Sequence, residues 1–224
     1  MWLINSSIGR KLIMSISGVF LVLFLIFHSL MNLTMIFSTE VYNTICEILG
    51  ANWYAIAGTM VIAGGFVIHI GYATFLTIQN RIARGRHRYE VTERQEGVSW
   101  SSKNMYILGL IICGFLVMHL YQFWYKMQFA ELIGVQTGAF DPHDGAAFVT
   151  DLFNNWIYCM IYIVWIAALW FHLTHGLWSS IQTVGLNNKK WFPRVKVIGN
   201  ILSTIVCLMF AAVPVYFLIK NILC

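Results

Sequence analysis

Charged side chains are scarce in this sequence. They make up 10% of its 224 residues, whereas hydrophobic residues make up 59% and the mean hydropathy is +0.71. A soluble domain carries about 25% charged residues. The composition therefore excludes an ordinary soluble protein and indicates that most side chains face lipid or a dry helical interior.

Closely spaced cysteine pairs are also lacking. The five cysteines form no CxxC pair, which argues against zinc and iron–sulfur sites, and no CxxCH occurs, which excludes a covalently attached c-type haem. Cys113, Cys159 and Cys207 lie in apolar stretches, where we expect packing residues. No small-residue cleavage site follows the first apolar stretch, so we expect a retained helix there rather than a signal peptide.

Long hydrophobic runs are what the sequence has instead. A bilayer core of about 30 Å needs roughly 20 apolar residues as a helix, and open strands leave backbone groups unsatisfied in lipid. We therefore predict an all-α membrane protein, one domain over residues 1–224, with five transmembrane helices. The predicted spans are about 12–37, 53–78, 105–128, 156–181 and 197–220. Pro214 is expected to kink the fifth span rather than end it.

Basic residues are concentrated in alternate loops. Of the 14 lysines and arginines, all but Lys126 and Lys220 fall at the N-terminus, between spans two and three, or between spans four and five. Basic loops mark the cytoplasmic face. We predict a cytoplasmic N-terminus and an external C-terminus, and we call the end with the basic loops the inner end.

Five of the seven histidines lie within the predicted spans. They are His28, His69, His119, His172 and His175, while His87 and His143 lie in loops. An ionisable side chain at that depth is costly and marks a functional site. Any one of them has an ordinary alternative, a hydrogen bond across helices. Their positions as a set make that alternative weak.

Two of these histidines lie at one depth near the inner end. His69 comes sixteen residues after Trp53, and His172 comes sixteen residues after Trp156. Both helices run in the same direction, so equal spacing at 1.5 Å per residue gives equal depth. His175 lies about one helical turn beyond His172 and is therefore not at the same depth as His69. We call His69 and His172 the inner pair.

Two further histidines lie at a second depth. His28 is seventeen residues beyond Lys11, and His119 is sixteen residues beyond Lys103. Both are therefore roughly 25 Å from the inner charged boundary. We call His28 and His119 the outer pair.

Facing histidine pairs suit a six-coordinate haem iron. A helical bundle is a natural container for the large apolar ring. Small residues near the histidines fit a flat macrocycle, although close helix packing explains each of them equally well; they are Gly18, Gly64, Gly65, Gly71, Gly114 and Gly176. Zinc or copper would need three or four clustered ligands, often with cysteine or carboxylate. We predict two b-type haems.

Several separated motifs resemble one protein family. They are Gly9-Arg10-Lys11 with Met14-Ser15-Ile16-Ser17-Gly18, Phe27-His28-Ser29-Leu30-Met31-Asn32, His69 followed by Gln79-Asn80-Arg81-Ile82-Ala83-Arg84-Gly85, and Phe171-His172-Leu173-Thr174-His175-Gly176-Leu177-Trp178. The chain is similar to the single-subunit, five-helix, two-haem cytochrome b membrane anchor of succinate dehydrogenases and fumarate reductases.

The resemblance implies a set of site residues. His69 and His172 would ligate the inner haem iron, and His28 and His119 the outer haem iron. His175 is a reasonable hydrogen-bonding neighbour of a haem propionate, and Ser15, Ser17 and Arg81 are further candidates for propionate contacts. Glu47 is the candidate proton acceptor at the quinone site, with Glu40 as second choice. Some relatives have a glutamate two residues before the fourth-helix ligand, but this chain has Trp170 there.

The resemblance also implies partners. An iron–sulfur subunit would dock on the cytoplasmic face and connect to a flavoprotein that interconverts succinate and fumarate. The quinone is expected to be menaquinone, and the location a bacterial inner (cytoplasmic) membrane. The dicarboxylate chemistry would belong to another chain, and the sequence leaves open whether succinate oxidation or fumarate reduction is the physiological direction.

Two alternatives remain open at this point. One is the cytochrome b subunit of another quinone-linked dehydrogenase or hydrogenase, which also places paired histidines in a small bundle. The other is a proton-coupled transporter, which predicts acidic partners and broken helices near the midplane. The predicted spans contain no Asp or Glu, and only Pro214 interrupts them.

Overall fold

The computed structural model describes residues 6–84, 100–181 and 188–223, and within these ranges the regular elements are helices, with no strand. In chain order they are Ser7–Phe37 (α1), Thr39–Ile48 (α2), Trp53–Arg84 (α3), Trp100–Lys103 (α4), Met105–His119 (α5), Ala130–Ile133 (α6), Gly145–Phe153 (α7), Trp156–Ile181 (α8) and Trp191–Leu223 (α9). A π-helical segment, Leu120–Phe129, joins α5 to α6.

Among the described residues, five helices are long and apolar enough to cross a membrane, which confirms the predicted all-helical fold with five helices of spanning length. They are α1, α3, the continuous run Met105–Ile133, α8 and α9. Four of the five predicted spans are shorter than the helices that contain them, because helical backbone satisfies its own hydrogen bonds and continues into the polar residues at each end. Pro214 lies inside α9, so the helix does not end there, as expected.

Serine side chains set the ends of the first helices. The Ser6 hydroxyl accepts a hydrogen bond from the Gly9 N–H at 2.9 Å and so caps the start of α1. Ser38 is extended, with φ −159° and ψ 117°, and its hydroxyl accepts from the Val41 N–H at 3.2 Å. A serine in this conformation satisfies an otherwise unpaired helical N–H. Ser38 therefore ends α1 and begins the short α2.

The centre of the bundle is formed by α1, α8 and α9. Its inner half packs around residues such as Val22, Leu173 and Cys207. Its outer half packs around residues such as Phe115 and Phe217. The α5 helix lies against α8, and α3 packs mainly against α1. The four helices that carry the paired histidines thus surround a shared interior.

Polar contacts close the outer end of the bundle. Asn43 of α2 donates through Nδ2 to Asp144 Oδ1 at 2.8 Å and accepts from the Ala146 N–H at 2.8 Å. Asp144 also accepts from the Ala147 N–H at 3.1 Å and so caps α7. These bonds tie α2 to α7, and we call this pair of helices the lid.

Cation contacts tie helices together at the inner end. Arg10 donates through Nη1 to Gln79 Oε1 at 2.7 Å, and Arg81 lies over the Tyr106 ring at 6.0 Å. The first contact joins α1 to α3, and the second joins α3 to α5. His87 and the remaining arginines of that loop, Arg86, Arg88 and Arg94, lie outside the described residues, as does Cys224.

Candidate functional site

The outer histidine pair lies among aromatic rings. The centroids of the His28 and His119 rings are 5.9 Å apart, with an interplanar angle of 87°. Phe24 stacks on His28 at 5.2 Å, and Phe210 of α9 lies 5.7 Å from the same ring. Phe115 stacks on His119 at 6.2 Å. The pair is therefore surrounded by apolar surface that excludes water.

The inner histidine pair lies beside two glycines. The centroids of the His69 and His172 rings are 6.4 Å apart, with an interplanar angle of 71°. A Cβ at Gly18 would meet His69 Cε1 at 3.5 Å, and one at Gly109 would meet His172 Cε1 at 3.7 Å. Gly18 belongs to the predicted set of small residues, whereas Gly109 does not. Both glycines let backbone lie directly against an imidazole.

The structure brings together the same two pairs that the sequence spacing predicts. Two metal–nitrogen bonds of about 2 Å on opposite sides of one ion place two imidazole ring centres roughly 6 Å apart. Both observed separations match that value. Rotation about the line through the two nitrogens is free in such an arrangement, so steep interplanar angles are compatible with it. Iron binding by these residues stays a prediction.

In the part of the chain that the structure describes, two buried histidine nitrogens have no hydrogen-bond partner. They are Nδ1 of His172 and Nδ1 of His175. Buried polar atoms in proteins are normally paired, so each exception needs an explanation. Among the described residues, no cluster of three or more His, Cys, Asp or Glu is placed to hold a metal ion. The donor set is thus paired imidazoles, which suits an axial pair on a haem.

Hydroxyl groups contact one histidine of each pair. In the outer pair, His119 Nδ1 lies 3.4 Å from the Tyr162 hydroxyl, which donates to Gln122 Oε1 at 2.6 Å. In the inner pair, His69 Nδ1 lies 3.2 Å from the Ser17 hydroxyl, which donates to the Met14 carbonyl at 3.2 Å.

Tyr162 and Gln122 were not among the predicted site residues. A glutamine three residues after a buried histidine, in an otherwise apolar stretch, is a signal in the sequence that points to the same place.

The residues proposed for propionates lie in different surroundings. Ser17 is buried against His69, and Ser15 is buried on the same helix. Arg81 is exposed over Tyr106. His175 is partly buried beside Trp178, whose ring also lies 5.7 Å from Lys196 Nζ. Their contacts with a propionate stay predictions.

The acidic residues at the outer end differ in burial. Glu47 and Glu40 on α2 are exposed. Glu131 is 23% exposed, accepts from the Ala51 N–H at 2.8 Å, and lies 3.4 Å from His143 Nε2. The role of Glu47 at a quinone site stays a prediction. Glu131, which the sequence did not single out, is held in place by these contacts.

Groups of the outer end have shifted pKa values. A hydrogen bond to Asp141 raises the pKa of His143, and nearby Glu131 adds to it. Hydrogen bonds from the His143 backbone N–H and ring lower the pKa of Asp141. Burial raises the pKa of the Cys46 thiol to about 11 and also raises that of Tyr42. The Cys46 thiol and the Tyr42 hydroxyl therefore stay protonated at neutral pH.

No match was found to a protein-family model, a curated protein or a solved structure. The chemistry of the site therefore rests on its own residues.

Proposed function

We propose that this chain is the membrane-anchor cytochrome b subunit of a succinate:quinone oxidoreductase, either a succinate dehydrogenase or a quinol:fumarate reductase. The observation that carries the proposal is the presence of two histidine pairs, each with ring centroids about 6 Å apart, at two depths of a five-helix bundle. In this role the chain passes electrons between menaquinone and an iron–sulfur subunit. Its N-terminus is cytoplasmic, in a bacterial inner membrane.

Each pair has a defined role. His69 and His172 would hold the inner haem, and His28 and His119 would hold the outer haem. A bound b-type haem supplies a one-electron carrier. The helices hold the imidazoles apart at the separation of an axial pair, and the surrounding phenylalanines keep water away from them. No Asp or Glu occurs in the predicted spans to bind a transported proton.

The two pairs are separated along α8. Tyr162 contacts His119 of the outer pair, and His172 belongs to the inner pair. Ten residues of helix between them correspond to about 15 Å. Phe115 and Trp165 stack at 4.1 Å in the region between the layers. The bundle therefore provides two carrier sites in series across the membrane.

The two ends of the bundle suit different partners. The inner end carries the basic residues that would face the iron–sulfur subunit and, beyond it, the flavoprotein. The outer end carries six of the nine Asp and Glu residues, and oxidation of a quinol requires an acceptor for its protons. Glu47 is the proposed acceptor, and the partly buried Glu131 lies at the same end.

The test is a reduced-minus-oxidised visible spectrum of the purified chain with haem counted per polypeptide. The wild type is expected to hold two b haems that a soluble menaquinol analogue reduces. His172→Ala is expected to lose one haem, whereas the matched control His175→Ala, one turn away, keeps both. A wild-type chain without haem would overturn the proposal, and so would loss of haem only in His175→Ala.

A further inference from the structure

One histidine of each pair takes part in a short chain of hydrogen bonds with the same order of groups. In the outer pair it runs from His119 Nδ1 to the Tyr162 hydroxyl and on to Gln122 Oε1. In the inner pair it runs from His69 Nδ1 to the Ser17 hydroxyl and on to the Met14 carbonyl. Each hydrogen-bond chain therefore leads from an imidazole to a hydroxyl and from the hydroxyl to a carbonyl oxygen.

The order of groups favours one direction for the bonds. A hydroxyl has one proton, and a carbonyl oxygen is only an acceptor. When the hydroxyl donates its proton to the carbonyl oxygen, it offers a lone pair to the imidazole, which favours the tautomer in which Nδ1 carries the proton and donates it. Nε2 is then left with its lone pair, which is the form that binds a metal.

Burial makes these bonds effective. Tyr162 is 6% exposed and Ser17 is 7% exposed, so water does not compete for either hydroxyl. A serine in a helix often bonds to the carbonyl three residues earlier, and that bond alone would mean little. The contact of Ser17 with His69 on another helix distinguishes it. Tyr162 likewise joins α8 to His119 and to the π-helical segment that follows it.

We infer that Tyr162 and Ser17 are positioning residues for the haem ligands: each holds one histidine of a pair, His119 or His69, in the Nδ1–H form with Nε2 free for iron. The inference rests on the proposed function. It gives Ser17 a role through His69 that is separate from the propionate contact for which Ser17 is a candidate.

The inference has an electronic consequence. An acceptor on the Nδ1–H of a ligating histidine increases the basicity of the other nitrogen and orients the ring. A more basic ligand stabilises the oxidised iron. Tyr162 therefore lowers the midpoint potential of the outer haem, and Ser17 lowers that of the inner haem. Each acts on its own haem only.

The experiment compares Tyr162→Phe and Ser17→Ala in the full chain by redox titration and by the low-spin ferric signals in electron paramagnetic resonance. Both variants are expected to keep two haems. Tyr162→Phe raises only the potential of the haem that His119→Ala loses, and Ser17→Ala raises only the other. Ser17→Thr, which keeps the hydroxyl, restores the wild-type value. Tyr158→Phe and Ser203→Ala are the matched controls. Each removes a hydroxyl group that takes part in neither hydrogen-bond chain, and each leaves both potentials unchanged.

Several results would overturn the inference. Two haems with unchanged potentials in Tyr162→Phe and Ser17→Ala would do so, and so would equal shifts of both haems in either variant. If Tyr162→Phe does not assemble, Gln122→Leu provides the test for the outer haem. A smaller upward shift of its midpoint potential supports the inference, and an unchanged potential contradicts it. Absence of haem from the wild type would overturn the proposed function instead.

Discussion

Glu131 joins three parts of the outer end through one side chain. It accepts from the Ala51 N–H at 2.8 Å just before α3 begins, and it lies near His143 of the following loop. A hydrogen bond to a charged group contributes about 1.5–3 kcal/mol.

We expect Glu131→Ala to lower the stability of the folded chain by about 1–3 kcal/mol. Glu131→Gln keeps an acceptor oxygen for Ala51 and should lose less. The exposed Glu47 is the matched control, because surface substitutions usually change stability by less than about 0.5 kcal/mol. Thermal unfolding in detergent, monitored by circular dichroism, measures the stability of Glu131→Ala, Glu131→Gln and Glu47→Ala. Equal melting temperatures for the Glu131 and Glu47 alanine variants would contradict this account.

His143 is a second residue whose behaviour the structure predicts. Its Nδ1 lies 2.9 Å from Asp141 Oδ1, which raises its pKa above the usual value. A raised folded-state pKa means that the stabilising contact is fully present below the unfolded value of about 6.5 and is lost as the pH rises through the folded value. Asp141 has a lowered pKa, so its contribution is instead lost in acid.

Titration of the His143 ring protons by nuclear magnetic resonance checks this point. The midpoint is expected above about 6.5 in the wild type and lower in Asp141→Asn, where the negative charge is gone. Glu131→Gln should lower it less, since Asp141 is the main cause. An unchanged midpoint in Asp141→Asn would show that the contact does not exist in solution.

At the scale of single residues, the sequence predicted the contacts that depend only on the depth of each side chain in the bundle. Residue counts along two helices that run in the same direction define depth, so the spacing paired His69 with His172 and His28 with His119. Contacts between side chains on different helices also depend on how each helix is rotated, which the counts do not define. Tyr162 and Glu131 were missed for that reason.

The contact between α1 and α3 depends on a glycine. A Cβ added at Gly65 would lie 2.5 Å from Cε1 of Phe20, whereas one added at the neighbouring Gly64 would meet nothing within 4 Å. His69 is four residues after Gly65 and therefore lies on the same face of α3. Displacement of this face moves His69 away from His172.

Gly65→Ala is thus expected to lower stability by about 1–3 kcal/mol through overpacking. It should also make the inner haem dissociate several-fold faster during detergent washing. Gly64→Ala gains the same helix propensity without the clash, so the difference between the two variants isolates the packing effect. The prediction fails if both variants retain the inner haem equally.

The helices themselves were largely predictable, and their irregularities were not. Runs of apolar residues define five spans because lipid depth sets a minimum length. The π-helical turn after His119 has no counterpart in hydropathy, which is averaged over many residues. This segment contains Gln122, the acceptor for Tyr162.

For the whole molecule, the arrangement is a helical bundle with two histidine pairs at different depths and a different charge at each end. The α9 helix has no histidine, yet Phe210 on it contacts His28. The basic loops and the acidic outer residues were evident from the sequence. The lid of α2 and α7 was not, since it depends on bonds such as Asn43 with Asp144 across more than one hundred residues.

The central claim is that the histidines act as two pairs, one haem to each, and a pair of double variants tests it most directly. His28→Ala with His119→Ala removes both ligands of one pair, whereas His28→Ala with His172→Ala removes one ligand from each pair. Haem is then counted per purified chain. The account predicts one haem in the first variant and none in the second. Equal haem content in the two variants, or a wild-type chain without haem, would contradict it.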